Sequence, residues 1–118
     1  MQRQSEAFPR RLRLGSNRNY RYVYRRGKSI PSRSVVLVFL KGRDLKIGFS
    51  VSHKVGNAVT RNRLRRWMRE DIRRLRPLMK CGKYIFVARE AMREMEHKDL
   101  TRELKRTLER GKLLKEEA

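Results

Sequence analysis

The chain has 118 residues, a length suited to one domain with a single modest core. Apolar residues make up 38 % and charged residues another 38 %, with 33 Lys+Arg against 12 Asp+Glu for a net charge of +21. The longest apolar run, residues 35–40, is too short to span a bilayer, the Arg-rich N-terminus lacks the apolar core of a signal peptide, and the lone Cys81 makes no intrachain disulfide, so the reading is a cytoplasmic protein without a membrane role.

Residues 1–14 are basic and irregular and are expected to form a flexible N-terminal segment. Ser16 is a helix N-cap and Gly27 its stop. Between them Tyr20, Val23 and Tyr24 fall at i, i+3, i+4 on one face, while Arg18, Arg21, Arg25 and Arg26 cover the others. Residues 28–33 hold Pro31 and read as a turn or a short edge strand. Residues 34–41 are β-branched and apolar, a buried strand, and Gly42-Arg43-Asp44 is a turn. Residues 45–52 alternate, with Leu45, Ile47, Phe49 and Val51 on one face and Lys46, Gly48, Ser50 and Ser52 on the other. This predicts a strand pairing with the previous one as a hairpin. The small residues of its polar face leave room for something to lie against it.

Residues 53–56 form a loop, after which Asn57 caps a helix running to about Arg76, where Pro77 ends it. Its apolar stripe is Leu64, Trp67, Met68, Ile72 and Leu75, which assigns Trp67 to the core. Residues 83–88 are another strand, 89–96 a connector, and 97–114 a last helix with Leu100, Leu104, Thr107, Leu108 and Gly111 on one side. The order α-β-β-(β)-α-β-α, with an optional short strand near Ile30, predicts a single-domain α+β sandwich, a sheet packed by helices.

The charge is unevenly placed. Residues 1–80 carry 23 basic and 4 acidic side chains, whereas residues 81–118 carry 10 and 8. Such a surface attracts polyanions, and its arginines grip phosphate with a planar fork. The densest run is Lys54-Val55-Gly56-Asn57-Ala58-Val59-Thr60-Arg61-Asn62-Arg63-Leu64-Arg65-Arg66-Trp67-Met68-Arg69, at a helix start. Arg61, Arg65 and Arg69 recur every four residues, and Arg66 and Arg73 extend the surface, so the helix can follow a phosphate ridge with its N-terminal amides as added donors. The plain alternative is a solvated basic face; the excess of charge over eighty residues favours nucleic acid. Tyr20 and Tyr24 are either a stacking platform for unpaired bases or core packing with Val23. Asn62 could pack, cap or hydrogen-bond RNA.

Nothing points to catalysis by the chain itself. Asp44, Asp71 and Asp99 are scattered, so a two-metal nuclease site is not expected. His53, His97 and Cys81 lack zinc-ligand spacing. No catalytic residue and no protein-bound metal or cofactor is anticipated.

The run at residues 54–69 resembles the signature of the bacterial ribonuclease P protein family, an Arg-Asn-Arg motif in a Lys-Val-Gly-Asn-Ala-Val-x-Arg-Asn-Arg-Leu context. Gly48-Phe49-Ser50-Val51-Ser52-His53-Lys54, Arg13-Leu14, the aromatic after Asn19, Tyr24 and Gly27-Lys28-Ser29 are similar to the family pattern in the same order. The resemblance covers residues 10–90 closely and the last helix loosely. It implies a fold like the second domain of ribosomal protein S5, with a left-handed β-α-β crossover. It also implies a catalyst made of a large RNA with bound Mg2+, and a protein, monomeric in the complex, that binds this RNA and the 5′ leader of precursor tRNA. On that basis Arg61, Asn62, Arg63, Arg65, Arg66 and Arg69 would face the catalytic RNA. Tyr20, Tyr24, Ser50, Ser52 and Lys54 would form the leader cleft, with Arg13, His53 and Arg73 as further RNA contacts. A third aromatic of some members falls on Val38, and His53 stands where Lys is common. The competing reading is a structural RNA-binding protein of ribosomal type, without a leader cleft.

Overall fold

The computed structural model describes residues 8–115. Three helices, α1 (Asn17–Arg26), α2 (Ala58–Leu75) and α3 (His97–Arg110), pack on four strands, β1 (Lys28–Pro31), β2 (Val35–Lys41), β3 (Leu45–Ser50) and β4 (Gly82–Ala88). The sheet order is β1-β2-β4-β3, with β1 and β4 antiparallel to β2 and β3 parallel to β4. The α+β arrangement expected from the sequence is therefore present, including the short edge strand at Pro31.

The pleat sends alternate side chains to opposite faces. Leu37, Tyr84, Phe86 and Ile47 enter the main core with Leu64, Met68 and Ile72 of α2 and Leu100, Leu104 and Leu108 of α3. Val38 and Ile85 point the other way and meet Val23 of α1, with Tyr20, Leu40 and Val87 around them. The sheet is thus the middle of three layers, and α1 lies alone on its outer face.

The expected hairpin of residues 34–52 does not form. β4 lies between the two strands, so Ile47 pairs with Tyr84 and Phe49 with Phe86. Three consecutive residues of β4, Tyr84, Ile85 and Phe86, are fully buried, and only a central position covers both faces of such a strand. The short turn at Gly42 nonetheless suffices, because crossing two strand spacings takes about 10 Å.

Two boundaries also move. Of the N-terminal segment expected to be flexible, residues 1–7 lie outside the described residues. From Phe8 onward the chain is packed: Phe8, Leu12 and Leu14 are buried, and Leu14 N–H donates to Ile47 O at 2.9 Å. The last helix stops at Arg110 rather than 114, because Lys112 adopts φ 59° and Leu113 N–H turns back to Leu108 O.

Candidate nucleic-acid interface

α1 is set by its ends and by one buried residue. Ser16 Oγ accepts the Asn19 N–H, and Val23 is fully buried against the sheet. Only glycine fits at the helix end, since a Cβ at Gly27 would lie 2.6 Å from Val23 O and 2.9 Å from Phe39 O. With Val23 fixed, Tyr20 falls onto β3. Its ring occupies the space a side chain at Gly48 would need, since a Cβ there would be 2.6 Å from Tyr20 Cζ. The small-residue face of β3 is thus filled by Tyr20. The Phe49 N–H of this edge strand donates to Tyr20 Oη at 3.2 Å. Burial pushes the Tyr20 hydroxyl above its ordinary range, outweighing the Phe49 hydrogen bond and the nearby Arg69 and Arg65, which pull it down.

Tyr24 lies one turn on, with its ring centroid 6.5 Å from that of Tyr20, and it is 45 % exposed. The two tyrosines therefore divide the roles that the sequence left open: Tyr20 packs, and Tyr24 presents a ring to solvent. Together with Asn17, Arg21, Ser50 and Arg65 they line a cleft of about 510 Å³ between α1 and β3. Ser52 and Lys54 are exposed, at the turn His53–Val55 that leads away from it, and neither lines the cleft. Val38 is buried beneath α1 and cannot take an aromatic's place in the cleft.

α2 begins where Asn57 Oδ1 accepts the Thr60 N–H. Arg61 Nη1 donates to Gly56 O at 2.8 Å, and Arg65 donates to Asn62 Oδ1 at 3.0 Å and to Val51 O at 3.4 Å. Asn62 thus orients Arg65, and the first two turns are tied to the end of β3. Further along, Arg65, Arg66, Arg69 and Arg73 converge with Arg13 on a second cavity of about 540 Å³. Tyr20, Phe49 and Arg65 line both cavities, so the two form one continuous surface. Among the described residues no carboxylate lies within 4.0 Å of Arg13, Arg61, Arg65, Arg66, Arg69 or Arg73. Glu70 borders the cavity but sits 4.0 Å from His97 Nε2. Desolvation, then the like charges of Arg65 and Arg13, lower the proton affinity of Arg69. Such a cluster costs free energy until a polyanion neutralises it.

Arg63 does not join this cluster. It lies over the Trp67 ring at 5.1 Å, and the ring stacks on His97 at 4.8 Å and 3°. Trp67 thus packs against the main core but is only partly buried, between a cation and an imidazole at the α2–α3 margin, and not inside the core as its stripe suggested. Asp71 holds this margin: its buried carboxylate accepts from Thr101 Oγ1 at 3.0 Å and lies 3.0 Å from His97 Nε2. Sequence reading missed Phe8, which stacks edge-on against Phe49 at 5.5 Å, and Asn17 and Arg21 of the cleft. For the latter two the signal was available, since they share the helical face of Tyr20 and Tyr24.

These features define a class: a basic α+β protein that presents an arginine ridge and an aromatic-bearing cleft on one continuous, polyanion-complementary surface. The family model described as Ribonuclease P matches residues 8–112. The ribonuclease P protein component of Exiguobacterium sp. is 37 % identical over 103 residues, covering 86 % of this chain and 90 % of that protein. The ribonuclease P protein of Staphylococcus aureus superposes with a TM-score of 0.83 at 26 % identity, covering 87 % of this chain and 97 % of that one. That of Thermotoga maritima gives 0.76 at 28 % identity, over 83 % and 96 %. The chain belongs to the ribonuclease P protein family, which ties it to tRNA processing with the ribonuclease P RNA as partner.

Proposed function

We propose that the chain is the non-catalytic protein subunit of a ribonuclease P that removes the 5′ leader of precursor tRNA in the cytoplasm, acting as a monomer within the complex. Arg61, Asn62, Arg63, Arg65, Arg66 and Arg69 dock the protein on the catalytic RNA, with Arg13, His53 and Arg73 as further RNA contacts. Tyr20, Tyr24 and Ser50 hold the leader, and Ser52 and Lys54 meet it outside the cleft. The observation that carries this reading is an arginine ridge, with no carboxylate within 4.0 Å among the described residues, running into a cleft that exposes Tyr24. Arginine neutralises phosphate, and an exposed ring stacks on an unpaired base, so the surface suits a folded RNA beside a single strand.

The cleft adds contacts that mature tRNA, lacking a leader, cannot make, and this difference favours substrate over product. The protein lowers the magnesium the RNA needs by supplying cations of its own. In this reading the Mg2+ of the holoenzyme is held by the RNA subunit.

The test is cleavage of a precursor tRNA at low magnesium by the cognate RNA with and without this protein, and by the protein alone. Cleavage only with both is expected. Equal affinity of the complex for precursor and mature tRNA would remove the leader-binding half of the proposal, and no effect of the protein on the RNA would leave a structural RNA-binding role.

A further inference from the structure

Side chains two residues apart on a helix diverge by about 200°. Tyr22 therefore leaves α1 on the flank opposite Tyr20 and Tyr24. It enters a third cavity of about 490 Å³ between α1 and the end of the sheet where β2 turns into β3, which shares no lining residue with the leader cleft and meets the arginine cavity at Arg13 and Leu14. The ring is 39 % exposed. It is held by cations: Lys83 Nζ lies 5.3 Å and Arg26 Cζ 5.7 Å from its centroid.

The strands place those cations. Lys83 stands on β4 directly opposite Lys46 of β3, and like charges in register on neighbouring strands are destabilising. Lys46 relieves part of this by donating to Arg11 O at 2.7 Å. Lys41 and Arg43 are exposed at the rim, and Asp44 is the one acidic residue of the lining. No carboxylate of the described residues lies within 4.0 Å of Lys41, Arg43, Lys46 or Lys83. A concave surface with uncompensated cations and one exposed aromatic has the chemistry of a site for an unpaired nucleotide, with the ring for the base and the cations for its phosphates.

We propose that this cavity is a second site for single-stranded RNA, in which Tyr22 stacks on one base while Lys41, Arg43 and Lys83 take the flanking phosphates. The site lies on the far flank of α1 from the leader cleft and does not depend on the function proposed for that cleft.

The full chain would be photocrosslinked to a hexamer of 5-iodouridine, and its affinity measured for a uridine hexamer and for an abasic hexamer of the same backbone. Crosslinks at Tyr22 are expected in the wild type and in Tyr24→Ala. In the Tyr24→Ala background, Tyr22→Ala should weaken the uridine hexamer about tenfold, leave the abasic one unchanged, and be rescued by Tyr22→Phe. Absence of a Tyr22 crosslink, or equal losses for both hexamers, would overturn the proposal. A crosslink that persists at Tyr22 when Tyr24→Ala leaves precursor affinity unchanged would separate it from the fate of the leader cleft.

Discussion

Replacing each cleft tyrosine with alanine should separate stability from binding. Tyr24 is nearly half exposed and its hydroxyl makes no hydrogen bond among the described residues, so its removal should change stability by no more than about 0.5 kcal/mol. Tyr20 is half-buried over Gly48 and accepts the Phe49 N–H. Truncating a fully buried aromatic costs about 3–5 kcal/mol, so half that burial plus one hydrogen bond gives about 2–4 kcal/mol. Binding should rank the other way. Loss of one stacked base is worth about 1–3 kcal/mol, or roughly 5- to 150-fold in precursor affinity, and should fall mainly on Tyr24. Urea denaturation of the free protein gives the first quantity. Equilibrium binding of precursor and mature tRNA by the reconstituted complex gives the second. If Tyr24→Ala destabilised the fold as much as Tyr20→Ala, or if it left the precursor-to-mature ratio unchanged, the division of roles would be wrong.

Three further outcomes can be checked. Arg66→Ala removes an exposed side chain, so stability should hold, while the plot of log K for RNA binding against log salt should flatten by about 0.7–0.9 if Arg66 neutralises one phosphate. Gly82→Ala should destabilise by about 1–3 kcal/mol in thermal or chemical unfolding, because φ is +146° and a Cβ would sit 2.9 Å from Leu40 O. Burial raises the pKa of Asp71 above its unfolded value near 3.8, outweighing the Thr101 and His97 interactions. The stability this group contributes is therefore fully present below that value and lost as pH rises through the folded pKa. Asp71→Asn should remove that slope from urea midpoints measured from pH 3 upward, and an unchanged profile would contradict it.

The sequence alone determined the local elements. Ser16 and Asn57 cap the helices they were expected to cap, Pro77 ends α2, and the Leu64–Ile72 and Leu100–Leu108 stripes are buried as their spacing demanded. Those signals lie within a few residues of one another, so they need no knowledge of the rest of the chain. The family signature was likewise contiguous. Tertiary structure decided everything that depends on which surface meets which. The alternation of β3 specified two faces but not a partner, and the more apolar β4 took the place beside β2. The α2 stripe included Trp67, yet α3 reaches it with His97 rather than with an apolar side chain, and the ring remains only partly buried. Tyr20, Tyr22 and Tyr24 look alike along the chain. Only the seating of Val23 on the sheet sends the first onto Gly48, the second toward Lys83 and the third into the open cleft, because helix phase relative to a packed face is fixed by contacts distant in sequence.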